Sequence, residues 1–176
     1  MSAIALSPKT FPMQYTMPIV IKATTITTGD WINIPGVRGV AGCSFDVASS
    51  TTNTAPGNVT WTHGVALSTA VYATVTTTSI VIDGANAHAT LVRQVPFYAK
   101  NGVSGEIVEV TADSAPESAT ATWTIRRGAL GTTPAAIGDN DYFLIMNQIV
   151  IASTPVGMVT GIAFAMPDDP GSKPFA

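Results

Sequence analysis

Metal and thiol chemistry would need histidines and cysteines, and this sequence holds few of either. Its two histidines, His63 and His88, fall on separate elements, and Cys43 is the single cysteine. Zinc sites use several Cys or His ligands at defined spacings, which this sequence does not supply. We therefore expect a loop histidine at each position, a small buried apolar residue at Cys43, no disulfide within the chain, and neither a metal site nor a cofactor.

Catalysis by paired carboxylates or by an activated serine is not indicated either. Glu106 and Glu109 are three positions apart on a predicted strand, so their side chains point to opposite faces and do not form an acid–base pair. The Gly-x-Ser-x-Gly pattern of a nucleophile elbow is absent, and its nearest approach, 102–105, is typical of a turn. We predict that the chain is not an enzyme and has no catalytic residues.

The acidic run Asp139-Asn140-Asp141 resembles a fragment of a calcium-binding loop. The other oxygen ligands and the closing glutamate of that motif are missing. A turn whose side chains solvate its own backbone is therefore the favoured prediction, and calcium binding is the alternative.

Two adjacent arginines, Arg126 and Arg127, precede a glycine-rich stretch over 128–138. Neighbouring residues on a strand point to opposite faces, so at least one guanidinium faces solvent, an interface or a carboxylate. Two interpretations stay open: ion pairs with Asp or Glu of the same chain, or salt bridges to a partner subunit. The stretch lacks the glycine motifs of phosphate-binding loops, so it does not indicate a nucleotide site.

The overall charge of the chain is low. Charged residues make up 11% of the sequence, the net charge is −3, and mean hydropathy is +0.33. The eight lysines and arginines are scattered, whereas phosphate binding needs clustered cations, so nucleic acid is not an expected partner. A weakly charged surface is tolerated best when partners cover it, so the composition favours a chain that buries much of its surface in an assembly.

Short β-branched segments separated by turn residues dominate the sequence. We predict an all-β fold, an antiparallel β-sandwich or barrel with an extended N-terminal arm. One hairpin is expected around Gly29-Asp30 and another joins 106–113 to 119–128. Asn147-Gln148 is expected to be a tight turn or bulge between two buried strands, and 83–90 a short helix. The predicted strands cover 19–28, 31–36, 40–47, 59–62, 70–83, 91–98, 106–113, 119–128, 141–154 and 156–166.

The two ends of the chain are rich in proline, which disfavours helices. We divide the chain into an extended N-terminal arm (1–18), a single β domain (19–166) and a Pro-rich C-terminal tail (167–176). The apolar side chains of the arm need a surface, either on a neighbouring subunit or on the same domain as an edge strand. The arm residues expected to bind a partner are Phe11, Met13, Tyr15 and Met17.

The N-terminal sequence lacks the basic region of a signal peptide, and prolines interrupt its apolar runs. Apolar runs elsewhere are shorter than the ~20 residues of a spanning helix. We expect synthesis in a cytoplasm, no classical export and no membrane partner.

The segment from Gly105 to Gly138 resembles one that recurs in structural proteins of tailed-bacteriophage virions. There, a strand of the type G-E-x-v-x-V-t is followed by a loop, a T-v-x-R-G strand end, a G-T step and an alanine-rich turn closed by glycine. Related segments often have a histidine after the alanines, where this chain has Ile137. The matching residues are Gly105, Glu106, Val108, Val110, Thr111, Thr124, Arg127, Gly128, Gly131, Thr132, Ala135, Ala136 and Gly138.

The resemblance implies a structural component of a phage particle. With the small size and the arm, it is most similar to a capsid decoration (cement) protein, which lies on the outer surface of the head and bridges capsomers. The expected partners are then the major capsid protein and further copies of the chain, often as a trimer, and the expected location is the virion. Arg126 and Arg127 would join the arm residues in the subunit contacts.

Two other functions stay open. A phage tail or baseplate subunit is the first alternative. A carbohydrate-binding, adhesin-like β-sandwich is the second, in which Trp31, Trp61 and Trp123 would form a sugar platform with the tyrosines; tryptophans in a β domain are more often core residues.

Overall fold

Ten β-strands and one short 3₁₀ helix form the regular structure of the part of the chain that the computed structural model describes. The described residues are 18–23, 29, 31–34, 36–48, 60–68, 73–84, 93–153 and 158–166. The strands are β1 (Pro18–Ala23), β2 (Trp31–Asn33), β3 (Val40–Ala48), β4 (Thr60–Ser68), β5 (Ser79–Asp83), β6 (Phe97–Asn101), β7 (Ile107–Asp113), β8 (Ala121–Arg126), β9 (Tyr142–Ser153) and β10 (Met158–Ala165), and the 3₁₀ helix is Ala129–Gly131. The prediction of an all-β fold is confirmed. Phe11, Met13, Tyr15 and Met17 and the predicted tail lie outside the described residues.

Six of the strands close into an antiparallel barrel. Their order around the wall is β4, β5, β8, β7, β6 and β9, and β9 pairs with both β6 and β4, which completes the ring. Closure removes the open edges that a flat sheet would expose. β5 lies beside β8 instead of β6, so β5 to β8 form a Greek-key arrangement. The predicted sandwich or barrel is therefore a barrel, and β2 is an extra strand on β9.

Alternating side chains explain why these segments form the barrel wall. In β5 and β8, buried and exposed residues alternate, with serines and threonines among the exposed ones. Trp123 of β8 is fully buried and contacts Phe97 and Phe143 edge-on, with ring centroids 5.3 Å and 6.0 Å away. A ring of six strands is narrow enough for side chains to fill it, so the interior is a core.

β9 is the strand that carries the chain out of the barrel. Its first half pairs with β6 and β4, and its second half pairs with β4 and β2. On β4, His63 is opposite Ile149 while Gly64 is opposite Ile145, so the register skips the three residues between them, Met146 to Gln148. The predicted irregularity at Asn147-Gln148 is thus a bulge inside one strand, and the predicted strand pair is a single strand.

Three further strands form a second, smaller sheet in the order β1, β10, β3. We call it the small sheet. Ala163 of β10 and Val40 of β3 pack in one buried cluster with Ile149 and Ile151 from the second half of β9. The small sheet therefore packs on the extension of the barrel and not on its closed part.

The predicted hairpin around Gly29-Asp30 is wrong. β1 pairs with β10 in the small sheet, whereas β2 pairs with β9. The amide of Gly29 donates to the carbonyl of Ile151 at 2.8 Å, so this position is bound to β9. Long-range pairing with two apolar strands has replaced the local hairpin that the glycine indicated.

Other predicted elements also begin or end elsewhere, and the strand predicted over 59–62 is the start of β4, which extends to Ser68. Arg93 to Pro96 precede β6, because Pro96 has no N–H for the ladder and the amide of Arg93 donates to Pro116 instead. Of the described residues 73–78 before β5, Ala73 forms a bridge to Ile137, and Thr74 to Thr77 form a turn. Asp83 is the last residue of β5, so no helix begins there, and residues 85–90 of the predicted helix lie outside the described part. The hairpin of β7 and β8 is present as predicted.

Candidate functional site

Three carboxylates on β7 or directly before it bind all four arginines of the chain. We call Glu106, Glu109 and Asp113 the β7 carboxylates. The ion pairs are Arg127–Glu106, Arg126–Glu109, Arg38–Glu109 and Arg93–Asp113. Each guanidinium is thus committed within the chain, which leaves no arginine cluster for phosphate groups.

Glu106 holds the loop that follows β8. Its carboxylate accepts two hydrogen bonds from Arg127, Nη2 to Oε2 at 2.6 Å and Nε to Oε1 at 2.8 Å. It also accepts the backbone amides of Gly128 and Ala135, both at 3.0 Å. Glu106 is 1% exposed, so these donors replace the water that a carboxylate would otherwise bind. We call this arrangement the Glu106 clamp.

The electrostatics of the Glu106 clamp favour the ionised carboxylate. Burial by itself would raise the pKa of Glu106. The hydrogen bonds from Arg127, Ala135 and Gly128 and the positive charge of Arg127 outweigh burial, and the pKa is lowered. Such a carboxylate is a poor proton donor or acceptor near neutral pH, and its role is to bind the loop.

Arg127 extends the clamp to the end of the barrel. Besides Glu106, its guanidinium donates to the carbonyls of Thr74 at 2.8 Å and of Ala135. Ala73, beside Thr74, exchanges two backbone hydrogen bonds with Ile137, whose side chain is 1% exposed within the barrel core. Ile137 therefore closes this end of the barrel core.

Backbone conformation at two points allows the loop to reach the clamp. Gly128 has φ +65°, and a Cβ there would lie 2.8 Å from the Thr132 carbonyl oxygen, so glycine is required. Thr132 in turn fixes the loop to β7, because its hydroxyl accepts the amide of Ile107 at 3.0 Å. The loop therefore depends on a glycine at 128, for its backbone conformation, and on the hydroxyl of Thr132, for its hydrogen bond to β7.

The run Asp139-Asn140-Asp141 is a turn that binds its own surroundings. The carboxylate of Asp141 accepts the amide of Gly138 at 3.0 Å and the side-chain amide of Asn101 at 2.9 Å. Asn140 has φ +60°, a conformation that asparagine tolerates in turns. Within the described residues, no group of three His, Cys, Asp or Glu is placed to hold a metal ion.

Arg126 and Arg127 have different surroundings. The Arg126 side chain is 36% exposed and binds Glu109 across the β7–β8 ladder, Nε to Oε2 at 2.7 Å. The Arg127 side chain is 7% exposed inside the clamp. Both arginines therefore form ion pairs within the chain, which is the first of the two interpretations from the sequence. Contact of either arginine with a partner subunit stays a prediction.

Sequence reasoning missed two arginines that the fold brings to β7. Arg38 donates to Glu109 from the segment before β3. Arg93 binds Asp113 through Nε at 2.5 Å and donates to the carbonyls of Ala115 and Ser118, which braces the β7–β8 hairpin. These contacts join residues far apart in the sequence, and no local pattern marks them.

An open cavity of about 600 Å³ lies beside Arg38 and Arg93. Its wall includes Asn147 from the β9 bulge, whose side-chain amide donates to the Gln94 carbonyl at 3.3 Å while its Oδ1 has no partner. Both guanidinium groups bind carboxylates at this wall. The cavity therefore lacks a free cation for an anionic ligand.

His63 lies on β4, so the predicted loop histidine is wrong at this position, and Cys43 on β3 is partly and not fully buried. Both lie beside Trp61, at the contact between β4 and the small sheet. Nδ1 of His63 donates to the Gln148 carbonyl at 3.2 Å, and the ring of Trp61 packs edge-on against it at 5.1 Å. Burial lowers the pKa of His63. The hydrogen bond to the Gln148 carbonyl raises this pKa in part, and the positive charge of Lys100 lowers it further. Burial raises the pKa of the Cys43 thiol to about 12, so it is not a nucleophile near neutral pH. His88 lies outside the described residues.

The three tryptophans do not form one exposed platform. Trp123 is fully buried in the barrel core, and Trp61 packs against the buried cluster under the small sheet and donates to the Cys43 carbonyl at 3.1 Å. Trp31 is partly buried on β2. A sugar platform that includes Trp123 is therefore excluded by its burial.

Comparisons with protein-family models, with curated proteins and with solved structures find no match to this chain. No helix in the described part of the chain combines the length and apolar character that crossing a membrane requires.

Proposed function

We propose that the chain is a structural virion protein, a capsid decoration protein that binds the outer surface of a phage head and stabilises it through contacts between subunits. The observation that carries the proposal is the convergence of Glu106, Arg127, Gly128 and Ala135 in the Glu106 clamp. These residues belong to the motif through which 105–138 resembles phage virion proteins. A motif that fixes a loop on a barrel, with no reactive group in it, supports a structural role.

The exposed surface of the barrel also supports a chain that works in an assembly. Val65 and Leu67 of β4, Val81 of β5 and Tyr142 of β9 are each 37–42% exposed on neighbouring strands. Leu67 is directly opposite Tyr142, so these side chains adjoin. Contiguous patches of exposed apolar side chains mark surfaces that bind a partner, whereas single exposed apolar side chains do not.

Binding to phage heads tests the proposal directly. Purified full-length chain is mixed with expanded heads that lack it, sedimented, and quantified on a gel. We expect saturable binding at a fixed number of copies per head and higher resistance of the loaded heads to heat and detergent. Heads of an unrelated phage serve as the control. Absence of saturable binding would overturn the head-binding proposal.

The same preparation separates the alternatives. Saturable binding to purified tails or baseplates, without binding to heads, would favour the tail subunit. Binding of the isolated chain to glycans, without binding to either particle, would favour the adhesin. Major capsid protein and further copies of this chain are the partners that the proposal expects, and the virion is the expected location.

A further inference from the structure

Two apolar side chains are exposed on the described part of the outer face of the small sheet. Ile162 and Phe164 project from the same side of its central strand, β10, and each is 44% exposed. Their neighbours on β3 are small: Ser44 is paired with Ile162, and Gly42 with Phe164. A Cβ added at Gly42 would meet no atom within 4 Å, so an open trough lies beside the Phe164 ring. We call these four residues the β10 face.

The sequence before β1 carries a matching pattern. Apolar residues occupy every second position of segment 11–17: Phe11, Met13, Tyr15 and Met17. Alternate residues of an extended chain share one face. An extended segment 11–17 would therefore present a single apolar stripe about 20 Å long, at about 3.3 Å per residue. Such a stripe fits an apolar sheet face.

The start of β1 determines which copy this segment meets. Pro18 is paired with Phe164, so the chain enters the small sheet at the Phe164 end of the β10 face. Met17 precedes this proline, and the residue before a proline favours an extended backbone. Covering its own β10 face would require a reversal at this point, whereas an extended continuation leads away from the sheet.

We propose that segment 11–17 of one copy lies extended across the β10 face of a second copy, with an apolar side chain in the trough at Gly42. If two copies exchange segments reciprocally, the product is a closed dimer; head-to-tail exchange gives a ring such as a trimer. This proposal specifies the self-association within the proposed function and does not require a head. It is therefore tested in the absence of heads, and its failure is distinct from a failure to bind heads.

Disulfide trapping tests which copies are in contact. Two differently tagged full-length variants are made in a Cys43→Ala background, Tyr15→Cys in one and Phe164→Cys in the other. After mixing and mild oxidation, we expect a covalent dimer with both tags on a non-reducing gel. Tyr15→Cys mixed with Val103→Cys, a change on the exposed turn after β6, is the matched control and should give little mixed dimer.

Two outcomes of trapping would overturn the proposal. One is the absence of mixed dimer above the control. The other concerns a single chain that carries both Tyr15→Cys and Phe164→Cys: an internal disulfide without covalent dimers would mean that the segment covers its own face.

Sedimentation velocity of the full chain tests the surface without cross-links. Wild type should form oligomers, and the double variant Ile162→Ser/Phe164→Ser should raise the dissociation constant at least about tenfold. Gly42→Leu, which fills the trough, should act in the same direction. Val103→Ser and Val75→Ser remove exposed apolar groups elsewhere and should leave the constant unchanged, with circular dichroism confirming that every variant is folded. A wild-type chain that stays monomeric at high micromolar concentration would contradict the proposal.

Discussion

The barrel and the small sheet differ in whether their strands close into a ring. The barrel closes its strands on themselves and fills the interior around Trp123, while ion pairs of the β7 carboxylates brace its outer side and one end. The small sheet has three strands, and the side chains of Ile162 and Phe164 on its outer face remain 44% exposed. The difference lies in closure: the barrel is a closed ring braced by ion pairs within the chain, whereas the small sheet ends at β1 and β3. Both regions expose apolar side chains, the barrel at Val65 and Leu67 and the small sheet at Ile162 and Phe164.

β4 and β9 join the two regions. The closed part of the barrel uses the residues of β4 from Gly64 onward, and the earlier residues of β4 pair with the second half of β9, under the small sheet. The three-residue bulge from Met146 to Gln148 separates the two registers. Because a bulge bends its strand, one continuous strand can serve both regions. The predictions below test whether stability resides on the barrel side of this junction.

The largest expected effect is the loss of the central barrel side chain. Trp123→Ala should lower the free energy of unfolding by about 3–5 kcal/mol, because it leaves a cavity between Phe97 and Phe143. Phe164→Ala on the small sheet should change it by less than about 1 kcal/mol at concentrations where the chain is monomeric. Urea unfolding followed by circular dichroism measures both. Equal losses would mean that stability does not reside on the barrel side of the junction.

Removing the charge of the Glu106 clamp should have the next largest effect. Glu106→Gln leaves the Arg127 guanidinium buried without its charged partner, so we expect a loss of about 3 kcal/mol in unfolding free energy. Glu117→Gln, in the exposed β7–β8 hairpin loop, is the matched control and should change stability by less than about 0.5 kcal/mol. If the two variants are equally stable, the clamp does not hold the loop.

The sequence predicts the barrel strands better than it predicts their partners. Alternation of buried and exposed residues marks β5 and β8, and Gly105 and Asn101-Gly102 mark the turn before β7, since these signals are local. The hairpin around Gly29 failed because two strands that adjoin in sequence belong to different sheets. No local pattern encodes which distant strand a short apolar segment will join.

The candidate site shows the same limit. The sequence leaves two interpretations open for Arg126 and Arg127, ion pairs within the chain or salt bridges to a partner subunit. It predicts that Glu106 and Glu109 are strand residues that face apart. It does not show that these four residues bind each other, because their pairing depends on the β7–β8 register. Arg38 and Arg93 reach β7 only through the folding of distant segments. Glu106 binds the loop through buried hydrogen bonds, and its burial depends on the whole fold.

Acidification should weaken the barrel through Glu106. Its pKa is lower in the folded chain than in the unfolded one, so its contribution is complete above the unfolded value of about 4.3 and is lost as pH falls through the folded value. The wild-type free energy of unfolding should fall below that pH by at most about 1.4 kcal/mol per pH unit from this group. Urea unfolding between pH 6 and pH 3 should show a shallower slope for Glu106→Gln. A Glu106→Gln slope as steep as that of wild type would contradict the prediction.

The smallest expected effect arises at the junction itself, where His63 donates to the Gln148 carbonyl. Burial lowers the pKa of His63, so the unfolded chain takes up a proton first, and stability is complete above about pH 6.5 and declines as pH falls below it. We expect a loss of less than about 1 kcal/mol between pH 7 and pH 5, because the Gln148 carbonyl partly offsets burial. His63→Gln retains an N–H donor and does not titrate, so its unfolding free energy should be flat in this range. A wild-type curve that is equally flat would mean that protonation of His63 does not change the free energy of unfolding, which would contradict the prediction.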